Sequence, residues 1–486
     1  MLRKILINIG SGYLLKIVQI FCSLLTVPIL IDSEGLGLAG YGQLAAALSI
    51  SAMLSMAYDG IRLVTSKRIG QSKPAYSRET RLLSGYVVVT ALPAAALLIL
   101  LQPQIFAFAG LDHIDARVIY WIALTFIVEQ TSYAAEQFFH SQLRTSLINI
   151  VNSVEVIVRL IAIALVFNSH TGSIEHYFII FLSTSLCRIT LLWSVILRDP
   201  LPDTPADKST SLVGFVRESA PHSLNGIALF IVFRFSIILS NRYLSSELAA
   251  VFAILFFTIR GYLNQIFISV IRPMVIPLVS QIDLRRLEFA ARQRYDRIVV
   301  TYELIVISAI FLIAFSCPLW LHLWLGDEFD AYRGIVGFGI AIMGIEAALS
   351  LKGMILVSQG RGIVLSHFSL IGGILYVIAL SALRAGGGLS LSTLTFAVTL
   401  YILLYSGVVM NLLYSHFVFS NRRALLTLLI ATAVSASQYG LLSSPESVTQ
   451  ILAMGGSIWI LSTLALTASN LDTLRQLRAT LKTLTL

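Results

Sequence analysis

Charge is what this sequence has least of. Only 12% of its 486 residues are Asp, Glu, Lys or Arg, while 57% are apolar. An ordinary soluble domain carries roughly a quarter charged residues, and no division into soluble domains could clothe a surface from so small a supply. Cysteine is scarcer still. Cys22, Cys187 and Cys317 all fall in apolar stretches without CxxC spacing, which leaves no zinc cluster or disulfide scaffold and reads all three as buried small hydrophobes. No GxxxxGK[ST] run occurs, so the chain does not hydrolyse ATP by itself. The net charge of +9 comes from bases scattered between hydrophobic runs, a poor pattern for nucleic acid. These absences define a polytopic membrane protein.

A membrane helix needs about 20 mostly apolar residues. That window predicts fourteen spans: 6–31, 40–61, 82–101, 117–140, 147–167, 177–197, 218–240, 248–271, 298–320, 334–357, 363–383, 392–415, 424–442 and 448–468. The first follows Arg3 and Lys4 and is too long for a signal-peptide core, so it is expected to remain as a helix. With the N-terminus inside, the cytoplasmic segments hold 24 of the 34 bases, against four outside (Arg117, Arg242, Arg333, Arg384) and six within spans. Positive residues stay on the cytoplasmic side, so both termini are expected there, in a bacterial inner membrane. The outer loops are short, and several are acidic, such as Asp327–Glu328–Asp330.

The inner loops after the second and eighth spans, six helices apart, each carry six bases, and a proline-rich linker, Asp199 to Pro205, divides the chain between them. This spacing predicts two parallel six-helix lobes, 1–197 and 218–415, joined by a cytoplasmic linker at 198–217 and followed by two additional helices and a tail at 416–486. Duplicated halves around a central path are a recurring transporter design.

Charges inside a bilayer are expensive and need a partner, a cavity or a ligand. Six bases lie in spans, Lys16, Arg159, Arg188, Arg234, Arg260 and Lys352, with five acids, Glu129, Glu136, Glu155, Glu303 and Glu346. Glu155 and Arg159 stand four apart, the spacing of a helical ion pair. Glu129 and Glu136 share a helix face with Ser132, Tyr133 and His140, and read either as partners of Arg159 or Arg188 or as proton carriers. Lys352 and Glu303 are expected to reach the interface along their stems. Lys16, Arg234 and Arg260 have no acid at helical spacing in their own spans; Asn264 follows Arg260 by one turn. Two readings stay open for this group: cations of a shared cavity holding an anion such as a diphosphate, or partners of acids on other helices. Arg62, Lys67 and Arg68 read as positive-inside topology or lipid contact. The run Arg285 to Arg297, alternating with apolar residues, predicts an amphipathic segment on the inner leaflet.

The pattern Asn8-Ile-Gly-Ser11, Pro28 closing the first helix, Gly40-Tyr41-Gly42-Gln43 and Tyr58-Asp59-Gly60-Ile61-Arg62 resembles the Wzx-type polysaccharide flippases. So do Pro221 in the seventh span and Pro273-Met-Val-Ile-Pro277-Leu-Val-Ser280 after the eighth. The resemblance covers nearly the whole chain and implies the multidrug/oligosaccharidyl-lipid/polysaccharide superfamily, with a V-shaped, MATE-like pair of six-helix lobes. It implies a flippase, not an enzyme, that moves undecaprenyl-diphosphate-linked oligosaccharide between leaflets without a cofactor or metal. Membrane lipids, a polysaccharide polymerase and a chain-length regulator are the partners implied. Carried over by position, Lys16, Arg62 and Arg260 would surround the diphosphate. The chain departs from the pattern at Arg234, where relatives often have an acid. A cation antiporter of the same superfamily is the alternative, with a membrane polymerase or ligase behind it; short outer loops leave such an enzyme little room for acid–base groups.

Overall fold

A computed structural model describes residues 2–71, 76–141, 145–198, 211–269, 288–415, 430–437 and 448–469, together with 279, 284, 286 and 440. Among these the structure is all-helical, without a strand. In chain order the helices are α1 (Leu2–Ile31), α2 (Gly37–Ala57), α3 (Asp59–Gln71), α4 (Tyr76–Leu100), α5 (Gln102–Ala109), α6 (Val118–Ser141), α7 (Thr145–Phe167), α8 (Ile174–Arg198) and α9 (Leu212–Leu229). There follow α10 (Phe235–Tyr243), α11 (Ser246–Ala253), α12 (Arg260–Asn264), α13 (Phe289–Phe315), α14 (Cys317–Leu325), α15 (Arg333–Leu356), α16 (Gly362–Ala385), α17 (Leu391–Ile402), α18 (Met410–Ser415) and α19 (Val448–Ser469).

These helices account for thirteen of the predicted spans; 424–442 lies largely outside the described residues, as does the 199–210 part of the linker. Nine described helical stretches are long and apolar enough to cross a membrane, with shorter apolar helices at Leu15–Ile31 and Met454–Leu464. Their outer faces carry the apolar stripes that lipid requires. Ile17, Phe21 and Leu25 of α1 are exposed at intervals of one turn, and Ile371, Ile374, Leu375 and Ile378 do the same on α16. The chain is an all-α polytopic membrane protein of about fourteen membrane-spanning helices.

Three expectations are corrected. Cys187 is exposed on α8, whereas Cys22 and Cys317 are buried. The segment expected on the inner leaflet runs, from Phe289 onward, straight into α13, so Arg292, Arg294 and Arg297 fall in the first turns of a spanning helix; Arg285 lies outside the described residues. The ninth span ends at Phe315, and the chain restarts as α14 with Pro318 in its first turn, where proline lacks no hydrogen bond.

The chain forms two compact units, Met1–Ala253 and Ile254–Leu486. In the first, α6 packs against α4 and α8, and α1 against α7. Gln19 Nε2 donates to Ser153 Oγ at 3.2 Å across the α1–α7 contact, so the polar face of α1 is turned inward and its apolar face outward. α9 packs on α2 and α3 through glycine: a Cβ at Gly60 of α3 would strike the Ser219 carbonyl of α9, and one at Gly226 of α9 the Met56 carbonyl of α2. Such small-residue contacts let helix backbones approach where water supplies no hydrophobic drive.

In the second unit α13 packs against α15 and α19, with Trp459 Nε1 donating to Ser308 O at 2.9 Å. Among the described residues five stretches wind as π-turns: Phe230–Arg234, Ile254–Ile259, Gln265–Ser269, Val357–Arg361 and Leu403–Val409. Gly360 within the fourth has φ +77, and the kink there requires it. π-turns cluster at functional sites, and two of the candidate cations, Arg234 and Arg260, stand at the ends of such turns.

Candidate functional site

The charged interior of the first unit is built on α6. Glu129, Ser132, Tyr133 and Glu136 recur at three, four and seven residues along it, which sets them on one face. α8 brings Arg188 to that face and α7 brings Glu155. Arg188 reaches Glu129 at 3.7 Å, Glu136 at 3.6 Å and Glu155 at 3.3 Å. Glu155 pairs in addition with Arg159, one turn along α7. The Arg159 guanidinium is fixed on its other sides by Thr184, which accepts from Nε at 3.1 Å, and by the Phe181 ring, 3.9 Å away. Ser185 donates to Glu155 Oε1 at 3.1 Å. The spacing-based pair is therefore real, but it is part of a larger cluster with Arg188 at its centre.

Lys16 and Arg62 approach the same helix from other sides. Lys16 Nζ donates to the neutral amide oxygen of Gln19 at 2.9 Å and lies within electrostatic reach of Glu136. Arg62 falls on α3, beyond a break at Tyr58. Its Nε donates to Gln130 Oε1 at 3.3 Å, Asp59 stands 3.5 Å off, and the guanidinium lies 5.3 Å from the centre of the Tyr133 ring. Arg234, half-buried at the end of its π-turn, belongs to this unit as well.

Arg260 and Asn264 belong to the second unit. There Arg260 is held by Glu346 of α15 through two hydrogen bonds, Nε to Oε2 at 2.8 Å and Nη2 to Oε1 at 2.5 Å. Of the two readings open for Arg260, this contact is the one with an acid on another helix. Lys352 corrects the sequence reading more sharply. It does not reach an interface: it is 2% exposed, hydrogen-bonds Asn411 Oδ1 at 2.7 Å, and pairs with the equally buried Glu303 at 2.7 Å. The side chain of His140 lies outside the described residues.

Sequence reasoning missed Gln130 and Asn411, both of which hold cations. The available signal was a lone amide in an apolar helix, which needs a partner as a charge does. One trio has metal-ligand chemistry: His322, Asp327 and Asp330 place ligand atoms within 4.8 Å of one another. It is exposed, and His322 Nδ1 stands 3.3 Å from both carboxylates.

No family model matches the sequence, and comparison with curated proteins finds no match. Solved structures do match in shape. The MATE multidrug transporter DinF-BH aligns with TM-score 0.63 at 13% identity, over 87% of this chain and 96% of its own. The lipid II flippase MurJ, in an inward closed conformation, aligns with TM-score 0.63 at 10% identity, over 96% of this chain and 100% of its own. A mutant of the Vibrio cholerae MATE transporter VcmN gives 0.57 at 13% identity, over 85% and 98%. The fold is the one shared by these MATE transporters and MurJ.

Proposed function

We propose that this protein is a flippase for a polyprenyl-diphosphate-linked oligosaccharide, of the Wzx type, carrying undecaprenyl-diphosphate repeat units from the inner to the outer leaflet of a bacterial inner membrane. The observation that carries this reading is the contrast among its buried cations. Arg159, Arg188, Arg260 and Lys352 are held by carboxylates, whereas the direct hydrogen bond of Lys16 goes to a neutral amide. A lysine on an amide can exchange that bond for phosphate oxygens at little loss; an arginine locked on a carboxylate cannot. Lys16 is the first cation for the diphosphate; Arg62, which donates to the Gln130 amide and has the half-exposed Asp59 at 3.5 Å, is the second, and Arg234 the third. Arg260 pairs with Glu346 and, with Asn264 one turn on, stands behind these three in the proposal.

The fold supports the reading, because MurJ, whose name describes a lipid II flippase, aligns over more of the chain than the multidrug transporters do. The lobes at 1–197 and 218–415 would carry the headgroup by alternating access, with both termini cytoplasmic and the polyprenyl tail left in lipid. No covalent step is needed. Polymerase and chain-length regulator would act on the delivered units.

The test is leaflet exchange of labelled polyprenyl-diphosphate oligosaccharide in proteoliposomes. Lys16→Ala and Arg62→Ala should each slow exchange roughly 10- to 100-fold, the worth of a hydrogen bond to a charged group, with the protein still inserted and monodisperse. Lys16→Arg should retain most of the rate. Normal exchange in both alanine variants would remove the diphosphate from this site. The alternative, a cation antiporter, is favoured by the three carboxylates gathered at Arg188; it predicts pH-driven efflux of a cationic dye and no exchange of the lipid.

A further inference from the structure

Away from the charged interior, the turn between α14 and α15 gathers His322, Asp327 and Asp330, a trio for which transport has no use. α14 ends at Gly326, whose φ of +83 turns the chain back toward the helix it has just left. The next six residues, Asp327–Tyr332, form a 3₁₀ turn. Its period of three residues eclipses positions i and i+3, which sets Asp327 and Asp330 on one side, while Phe329 points elsewhere and is buried. His322 lies in the last turn of α14, and its carbonyl accepts from Gly326 N at 2.9 Å. α14 is tied to α13 by Trp320 Nε1, which donates to Ile313 O at 2.9 Å. Helix, bend and buried ring thus place the three side chains before any ligand arrives.

The distances suit a shared metal ion better than an ion pair. A hydrogen bond from an imidazolium to a carboxylate closes to about 2.7–2.9 Å, and a single Nδ1–H aims well at only one acceptor. Here Nδ1 stands 3.3 Å from Asp327 Oδ1 and again 3.3 Å from Asp330 Oδ2. Zinc holds imidazole nitrogen and carboxylate oxygen at about 2.0–2.1 Å, and at tetrahedral angles two such ligands stand about 3.3–3.4 Å apart. Both edges at Nδ1 have that length. The third edge, between the two carboxylates, lies within 4.8 Å, and Asp327, 89% exposed, has room to rotate and shorten it.

We propose that His322, Asp327 and Asp330 form a zinc site. His322 coordinates through Nδ1, each aspartate through one oxygen, and water takes the fourth position. Two carboxylates match the charge of the ion. The imidazole selects Zn²⁺ over Mg²⁺ and Ca²⁺, which take oxygen ligands in larger number. The ion staples the end of α14 to the turn that leads into α15. This site is independent of the proposed cargo and stands or falls apart from it.

Zinc binding tests it without transport. The full-length protein, in lipid nanodiscs and free of any affinity tag, is titrated with Zn²⁺ in an excess of Mg²⁺ and Ca²⁺. One ion per chain should bind, and Co²⁺ in its place should give the intense visible absorption of tetrahedral cobalt. His322→Ala, Asp327→Asn and Asp330→Asn should each weaken binding by more than about 100-fold, beyond the 10- to 100-fold worth of a residue that only supports a ligand. His113→Ala serves as the surface control, since His113 shares an exposed turn with Asp112 and Asp115; it should leave binding unchanged. Zinc should also raise the unfolding temperature of the starting protein and of His113→Ala, and not that of the three ligand variants. Absent or unsaturable binding, binding that the three substitutions leave intact, an equal loss in His113→Ala, or the weak spectrum of octahedral cobalt would each overturn the site and leave the trio an ion pair only.

Discussion

Replacing Lys352 with methionine should destabilise the protein by about 3–5 kcal/mol, the range for removing one partner of a buried ion pair. Lys352 on α15 is 2% exposed and Glu303 on α13 is 3% exposed, so neither can turn to water when the other is lost. Methionine fills most of the volume of the lysine stem, which keeps cavity formation out of the result. The Glu303 carboxylate, now opposite a thioether, must be buried uncompensated or take up a proton. Asn411 loses its donor in the same change. Pairing Lys352→Met with Glu303→Leu should recover most of the loss, because a buried pair exchanged for well-packed apolar residues is often neutral or better. Thermal unfolding of the purified variants measures both. A double variant as unstable as Lys352→Met would mean that the two charges do not depend on each other.

That pair also shows where the sequence stops being informative. Helix positions were legible because hydropathy is summed over about 20 residues, and single exceptions do not move the sum. Glu155–Arg159 was legible because both partners lie on one helix at a spacing that geometry prescribes. Arg260 and Glu346 are 86 residues apart, and no local pattern says which of five acids a membrane arginine meets. Lys352 was misread for a related reason. A long stem near the end of a span can rise to the interface, but whether it does so is decided by Glu303 and Asn411, each on a different helix. Lys16 and Gln19 stand three apart on α1, a spacing that sets them on one face, and Lys16 Nζ donates to Gln19 Oε1 at 2.9 Å. The π-turns around Arg234 and Arg260 left no trace in composition. They widen the helix by one residue, a change that hydropathy does not register.

The strongest dependence in the first unit should fall on Glu155. Glu155→Gln keeps the volume of the side chain and removes one charge, and it should cost about 3–5 kcal/mol, because two guanidiniums share that carboxylate. Arg159 would keep only Thr184, Ser185 and the Phe181 ring, none of them charged. Arg188 would keep Glu129 at 3.7 Å and Glu136 at 3.6 Å, both longer contacts than the 3.3 Å one it loses. Glu129→Gln should cost less, about 1 kcal/mol or below, since Glu129 is 34% exposed and partly screened. Adding Arg159→Met to Glu155→Gln should restore part of the loss but not all. The double change removes the stranded Arg159, yet Arg188 still lacks its nearest carboxylate. Thermal unfolding of the three variants separates this from an isolated helical pair, for which the double change would recover nearly everything. Full recovery would show that Arg188 takes no support from Glu155, and the cluster would reduce to two independent contacts on neighbouring helices.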